Sequence, residues 1–222
     1  MAKSDGRQHD VLVVGLGRFG SATTQELRRL GYRVVAIERD PVIAERWAGK
    51  VAQIIQGDAA DPEVIRRTRA DKYDIAVVSI GSSVESSVLA CANLVDVGVA
   101  SIWAKALTLE HQRILERIGV HHVVRPEADT GRRVAHLVAG RLQDYMEFDD
   151  GFAIVKMRPP TELIGFTLEQ SQVRSRYGVT VVGVKSPGQD FTHAVPTTKV
   201  TAHDVLIVSG PTDLLERLAA RP

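Results

Sequence analysis

The sequence predicts an α/β protein: a doubly wound parallel sheet followed by a small α+β C-terminal domain. Three observations carry that expectation. Short apolar runs recur between Asp10 and Pro126 in the manner of buried parallel strands. Stretches with apolar residues every three or four positions separate them, as amphipathic helices require. Beyond Pro126 this alternation stops, and one long helical stretch leads into a smaller mixed unit.

The strands expected in the first part are Val11–Val14, Val34–Ile37, Gln53–Ile55, Ile75–Ser79, Ile102–Ala104 and Val123–Val124. The first helix, near Arg18–Leu30, sets Phe19, Thr23, Leu27 and Leu30 on one stripe, with Gly31 as its C-terminal cap. The fourth sets Val84, Val88, Cys91 and Val95 on another, closed by Gly98. Residues 127–148 read as one long helix, with Val134, Leu137, Val138 and Met146 on one side. Glu147–Gly151, rich in aspartate, reads as a hinge. There follow a strand at Phe152–Met157, a helical piece at Thr167–Tyr177 and a strand at Val179–Val184. An extended piece near Phe191–Val195, a strand at Val205–Ser209 and a helix at Asp213–Ala219 complete the unit. The expected division is therefore a flexible tail at 1–8, a doubly wound domain at 9–126, a linker helix at 127–148 and a second domain at 149–222.

Composition narrows the function. Apolar residues make up 44% and charged residues 25% of the 222, enough for an ordinary buried core. The 28 basic and 27 acidic side chains nearly cancel, so no overall charge favours nucleic acid. With Cys91 as the single cysteine, neither an intramolecular disulfide nor a thiolate metal cluster can form, which fits a reducing cytosol. The opening MAKSDGRQHD lacks the apolar stretch of a signal peptide, and no run suffices for a membrane span. Action on a membrane would need a partner.

The chemistry concentrates in Gly15-Leu16-Gly17-Arg18-Phe19-Gly20, which follows the first strand and opens the first helix. Gly15 suits the tight turn, Gly17 lets backbone approach a pyrophosphate, and Gly20 allows close helix–strand packing. The helix N-terminus then faces the phosphates. Glu38 ends the second strand 18 residues after Gly20, where a carboxylate accepts hydrogen bonds from ribose hydroxyls and repels a ribose phosphate. These features make the domain Rossmann-like and nucleotide-binding. Arg39 either offsets that repulsion or is a solvated charge. Asp58, in Gly57-Asp58-Ala59, either meets an adenine edge or forms a turn. Ser79 and Gly81 end strand four opposite the phosphate loop. Arg18 and, at the end of strand five, Lys105 offer positive charge to a phosphate-rich ligand.

An NAD-dependent oxidoreductase is the main rival reading, but it needs an acid, base or nucleophile beside the nicotinamide. His193 and His203 read as surface or turn residues, and His9 lies in the tail. His121 and His122 open the last strand, where only one can face inward. Cys91 reads as core.

Further residues recur in order with the glycine loop: Gly57-Asp58-Ala59, Trp103-Ala104-Lys105-Ala106, Leu115-Glu116-Arg117-Ile118-Gly119-Val120 and Arg125-Pro126-Glu127. Taken together, from about residue 9 to the end, the chain resembles the cytosolic regulatory subunits of Ktr and Trk potassium uptake systems. That is the RCK (KTN) family, whose second domain is the TrkA-C (RCK-C) module. The resemblance implies a non-catalytic regulator, an octameric ring of dimers lying peripherally under an integral-membrane potassium pore subunit on the inner face of the cell membrane. It implies ATP or ADP, and in some members NAD(H), bound by Gly15, Gly17, Arg18, Gly20, Glu38, Asp58 and Lys105. Arg18 would also reach a terminal phosphate in the neighbouring subunit. Glu127 matches a glutamate that helps hold a cation, Mg2+ or another, between subunits. Related C-terminal modules bind cyclic di-AMP, and Arg174 and Tyr177 lie in the comparable stretch. Many members carry aspartate where this chain has Glu38, which bears on ligand preference.

Overall fold

The computed structural model describes residues 10–138, 142–148 and 151–222. They fall into two compact units, divided between Glu127 and Ala128.

In the first unit β1 (Asp10–Val14), β2 (Arg33–Glu38), β3 (Gln53–Gln56), β4 (Ile75–Val78), β5 (Ser101–Lys105) and β6 (His122–Val124) form a parallel sheet. Its order is β3-β2-β1-β4-β5-β6, the two-halved arrangement of dinucleotide-binding folds. The connecting helices are α1 (Arg18–Arg29), α2 (Pro41–Trp47), α3 (Pro62–Thr68), α4 (Val84–Asp96) and α5 (Leu109–Arg117). Successive strand residues face opposite sides. Leu12, Val14, Val35, Ile37, Ala76, Val78, Ile102 and Ala104 therefore join one buried layer, while Val11, Val13, Val34, Ala36 and Val77 join the other. Burial on both faces explains why these strands read as continuous apolar runs.

Two helix faces are rotated from expectation. In α4 the buried residues are Ser87, Ala90, Cys91 and Leu94, with Val84 exposed. In α1 they are Gly20 and Thr24, with Leu30 exposed. Close packing on the sheet favours small residues along most of the contact line, so Val88 and Val95 of α4 pack only partly buried beside it.

The expected linker helix over 127–148 is shorter. Helix α6 spans Pro126–Val138, and Leu142–Glu147 forms a strand, β7. β7 pairs antiparallel with β8 (Phe152–Met157), from Leu142 opposite Met157 to Glu147 opposite Ala153, with a register shift between Leu142 and Asp144. Two forces outweigh helix propensity here: the ladder satisfies the backbone, and Leu142 and Tyr145 join the core. The expected hinge falls between the two strands of this hairpin, and Phe148 N–H donates to Phe152 C=O at 2.7 Å. Asp149 and Asp150 lie outside the described residues, as does the tail at 1–8.

The second sheet has the order β10-β9-β11-β8-β7, with β9 at Thr180–Lys185, β10 at Thr192–His193 and β11 at Val205–Pro211. Helices α7 (Leu168–Ser171), α8 (Val173–Tyr177) and α9 (Thr212–Ala219) complete the unit. The single helix expected at Thr167–Tyr177 is split at Gln172, whose φ of 47° is left-handed and ends α7. Leu163, Val173, Leu215 and Leu218 pack with Ala153, Val155, Leu206 and Val208 in its core.

Candidate functional site

A crevice opens outside the carboxyl ends of β1 and β4, where the strand order reverses. It holds a cavity of about 370 Å³. The loop after β1 contributes Gly15, Gly17, Arg18 and Phe19, and the end of β2 contributes Glu38 and Arg39. The turn after β3 adds Asp58 and Ala59, and the end of β4 adds Ser79 and Gly81. Lys105 of β5 and Glu127 of α6 close the lining. Of the nucleotide-site residues expected from the sequence, all but Gly20 share this one surface.

The three glycines answer to different constraints. Gly15 has φ of +86°, a conformation that side chains rarely adopt. A Cβ on Gly20 would stand 2.0 Å from the Gly15 carbonyl oxygen and 2.3 Å from Ser79 Oγ, so helix packing forbids it. Gly17 is unlike both, since its φ is −64° and a Cβ there would meet nothing within 4 Å. The fold does not need glycine at 17. Glycine there leaves bare backbone on the cavity wall.

The start of α1 points the same way. Its N-cap is Gly17, with no side-chain cap and no acid in the first turn. By contrast α2, α3, α4 and α5 are capped by Asp40, Asp61, Ser83 and Thr108. The first-turn N–H groups of α1 thus lack a protein cap, and the positive end of the helix faces the cavity.

Glu38 is buried, 7% exposed. Its Oε2 accepts from Leu16 N–H at 2.6 Å and its Oε1 from Asp40 N–H at 2.9 Å. A carboxylate has about four acceptor positions, so two remain for a ligand diol. The same side chain therefore fixes the glycine loop and addresses the cavity. Ser79 is committed to the protein: its hydroxyl donates to the Gly15 carbonyl at 2.5 Å and stands 3.0 Å from that of Val14. It holds the loop in place.

Asp58 realises the turn-forming reading, with Oδ1 accepting from Ala60 N–H at 2.9 Å. The helix that follows is capped by Asp61 instead. Asn93 of α4 anchors the turn, donating to the carbonyls of Ala59 and Ala60, each at 3.0 Å. Sequence reasoning missed Asn93, although a polar residue within an apolar helix was the available signal. It also missed Ile43, Ser82 and Ser86 on the lining. Arg39 is exposed and approaches Ser82 Oγ at 3.3 Å.

Lys105 Nζ donates to Glu127 Oε1 at 2.5 Å. That bond holds the Glu127 carboxyl below the usual carboxylate range against the opposing effect of burial, with the Lys105 and Arg18 charges adding to it. A Cβ on Gly81 would meet Lys105 Nζ at 3.3 Å, so this glycine leaves room for the ammonium.

The histidines lie elsewhere. His121 Nδ1 accepts from Ile102 N–H at 3.1 Å and His122 stacks on Trp103 at 4.0 Å between ring centroids. Both are exposed, so neither faces inward. The short β6 sits at the sheet edge, where both sides can remain wet. His193 and His203 are exposed. In α8 Arg174 is exposed, while the guanidiniums of Arg176 and Arg221 lie over the Tyr177 ring, 5.2 and 4.8 Å from its centre.

A doubly wound sheet with an uncapped glycine-loop helix and a buried acid ending β2, followed by an antiparallel-sheet domain, defines a two-domain protein of the nucleotide-site class. Comparison with known proteins narrows this class. Residues 11–126 match the TrkA-N domain and residues 152–221 the TrkA-C domain. The chain belongs to the TrkA-N/TrkA-C family of Ktr and Trk potassium uptake proteins, also called RCK or KTN. It is 30% identical over 210 residues to Ktr system potassium uptake protein C of Bacillus subtilis (strain 168), covering 94% of this chain and 95% of that one. It is 32% identical over 204 residues to Ktr system potassium uptake protein A of Vibrio alginolyticus, covering 91% and 93%. Among solved structures it resembles the GsuK channel bound to NAD, with a TM-score of 0.70 and 19% identity. That match covers 98% of this chain and 40% of the other, so the chain spans less than half of the solved one's length. Among the described residues no helix is long and apolar enough to cross a membrane.

Proposed function

We propose that this chain is a nucleotide-binding regulatory subunit of a potassium uptake system, gating a membrane pore subunit through an ATP/ADP-dependent change of conformation. One observation carries the reading. The uncapped start of α1, the open backbone at Gly17 and the buried Glu38 meet on one cavity. The relatives matched over nearly their full length are named as potassium uptake proteins rather than as enzymes.

In this reading the α1 N–H groups and Gly17 hold the phosphates, Glu38 holds the ribose hydroxyls, and Arg39, Asp58 and Ala59 flank the base. Lys105 answers phosphate charge, and Arg18 reaches a terminal phosphate bound by a neighbouring copy. The copies assemble as dimers into an octameric ring, cytoplasmic and peripheral to the membrane through the pore subunit. ATP and ADP shift the ring only through contacts that differ between its states. A coupling of ~1–3 kcal/mol is the usual scale. Among the described residues no three His, Cys, Asp or Glu side chains converge on a metal position. Mg2+ or another cation at Glu127 would therefore draw on a second subunit or on the nucleotide. Cyclic di-AMP at Arg174 and Tyr177 of the second domain belongs to the same proposal.

NAD(H) sensing is the second reading. Glu38 admits it, since a buried acid at the end of β2 suits the unphosphorylated ribose of NAD as well as that of ATP. Calorimetric titration with ATP, ADP, NADH and cyclic di-AMP, with and without Mg2+, separates the two. Micromolar ATP and ADP binding that is lost in Gly17→Asp supports the regulatory reading. Exclusive NADH binding replaces it with redox sensing or an oxidoreductase, and unchanged affinity in Gly17→Asp removes the site.

A further inference from the structure

We infer that Glu127 is a built-in competitor for the Lys105 ammonium, latching the start of α6 to the nucleotide cavity until a phosphate chain displaces it. The inference rests on the nucleotide-binding reading above and concerns the regulation of that same cavity.

The two partners depend on each other unequally. Lys105 is buried, with its side chain 10% exposed, and a buried ammonium requires an anion. Among the described residues the carboxylate it reaches is Glu127. Glu127 keeps a side-chain exposure of 65% and lies in the first turn of α6, where the helix dipole and water already stabilise it. Lys105 therefore needs an anion more than Glu127 needs Lys105. A phosphate group entering the cavity meets both the uncapped end of α1 and this ammonium. Two anions cannot share one ammonium without repulsion, so the exposed, solvated carboxylate is the one to leave.

The position of Glu127 gives the exchange a consequence. It is the last residue of the first compact unit, and α6 continues from it into the second. Phosphate on Lys105 thus frees the first turn of the segment that joins the two units. Linkage runs both ways: weakening the latch tightens phosphate binding, and more so as phosphate charge grows.

The test is titration of the full chain in chelator-containing buffer with adenosine, ADP and ATP, using Glu127→Gln, Lys105→Met and the double variant. Glu127→Gln is expected to tighten ATP at least about fivefold, the low end of allosteric coupling, ADP less and adenosine not at all. Lys105→Met is expected to weaken ATP and to abolish the effect of Glu127→Gln. Hydrogen exchange over residues 130–134 should rise on ATP binding in the wild type and be already raised, and insensitive to ATP, in Glu127→Gln. An unchanged or weaker ATP affinity in Glu127→Gln, an equal gain for adenosine, or a gain that persists without Lys105 overturns the latch alone. A wild type that binds no nucleotide overturns the latch together with the reading beneath it.

Discussion

Replacing Gly20 and Gly17 separately by alanine distinguishes a glycine kept for the fold from one kept for a ligand. At position 20 the new methyl would sit 2.0 Å from a backbone oxygen and 2.3 Å from Ser79 Oγ, where contact distances exceed 3 Å. Neither neighbour can swing aside, because Ser79 Oγ itself bonds the Gly15 carbonyl. Helix α1 must therefore move off the loop by roughly 1 Å, an overpacking that costs ~1–3 kcal/mol. Loss of the Ser79 bond adds about 1 kcal/mol. At ~2–4 °C per kcal/mol the melting temperature should fall by about 5–15 °C. At position 17 the methyl meets nothing and φ is already ordinary, so the loss is the small N-cap preference for glycine, below about 1 kcal/mol. Nucleotide affinity should nonetheless fall at least about tenfold, since the methyl takes the space a pyrophosphate would use. Both tryptophans, Trp47 and Trp103, belong to the first unit, so a fluorescence-detected melt reports on this unit directly. Calorimetry supplies the affinity. A Gly20→Ala variant that melts with the wild type, or a Gly17→Ala variant that binds nucleotide as the wild type does, would refute the division of roles.

Three further outcomes are expected. Glu38→Ala should lose both ligand affinity and first-unit stability, because the N–H groups of Leu16 and Asp40 are stranded at ~1–3 kcal/mol each; binding lost with stability intact would mean that the loop bonds are dispensable. Cys91, fully buried and with its thiol pushed up to about 12 by burial, should resist a thiol reagent in native buffer at pH 8 and react promptly in denaturant; prompt native labelling would place it outside the core. Burial lowers the His111 pKa, so the unfolded chain binds the extra proton first and stability falls as pH drops below the ordinary histidine value of about 6.5; His111→Gln should flatten that part of the pH–melting curve, and an unflattened curve would assign the loss elsewhere.

How much was legible follows from where each constraint resides. The strands of the first unit were readable because burial on both faces writes an apolar run into every strand. Gly15 and Gly20 were readable because a backbone conformation or a close approach admits one residue type. Pairings remote in sequence were not. Nothing local to Glu38 announces Leu16, nothing local to Asn93 announces Ala59, and nothing local to Lys105 announces Glu127. Glu38 and Ser79 were therefore expected as ligand groups, yet both also bond the glycine loop. The rotation of the α4 face has the same origin, since a stripe of valines scores above one of serine and alanine until the sheet demands small residues.

The misreading of 127–148 matters most for mechanism. A rigid helix of that length would carry a displacement from the nucleotide cavity as a lever. Helix α6 instead ends at Val138, and the chain resumes at Leu142 as the edge strand β7. What couples α6 to the second sheet is local. Arg133 pairs with Asp144 of β7 at 2.7 Å, His136 stacks on Tyr145 at 4.0 Å, and His136 Nδ1 stands 3.1 Å from Glu216 of α9. The first turn of α6 is thus held by Lys105 and its last turns by β7 and α9. From Glu127 to Arg133 and His136 is about two turns of helix, after which the chain meets groups bonded to β7 and α9. Arg133 and His136 are then the positions where weakening the junction should uncouple nucleotide binding from the second domain while leaving the cavity unaltered. Unchanged nucleotide affinity in Arg133→Ala, with hydrogen exchange in β7 no longer responding to ATP, is the result this path requires. A preserved response would send the coupling by another route.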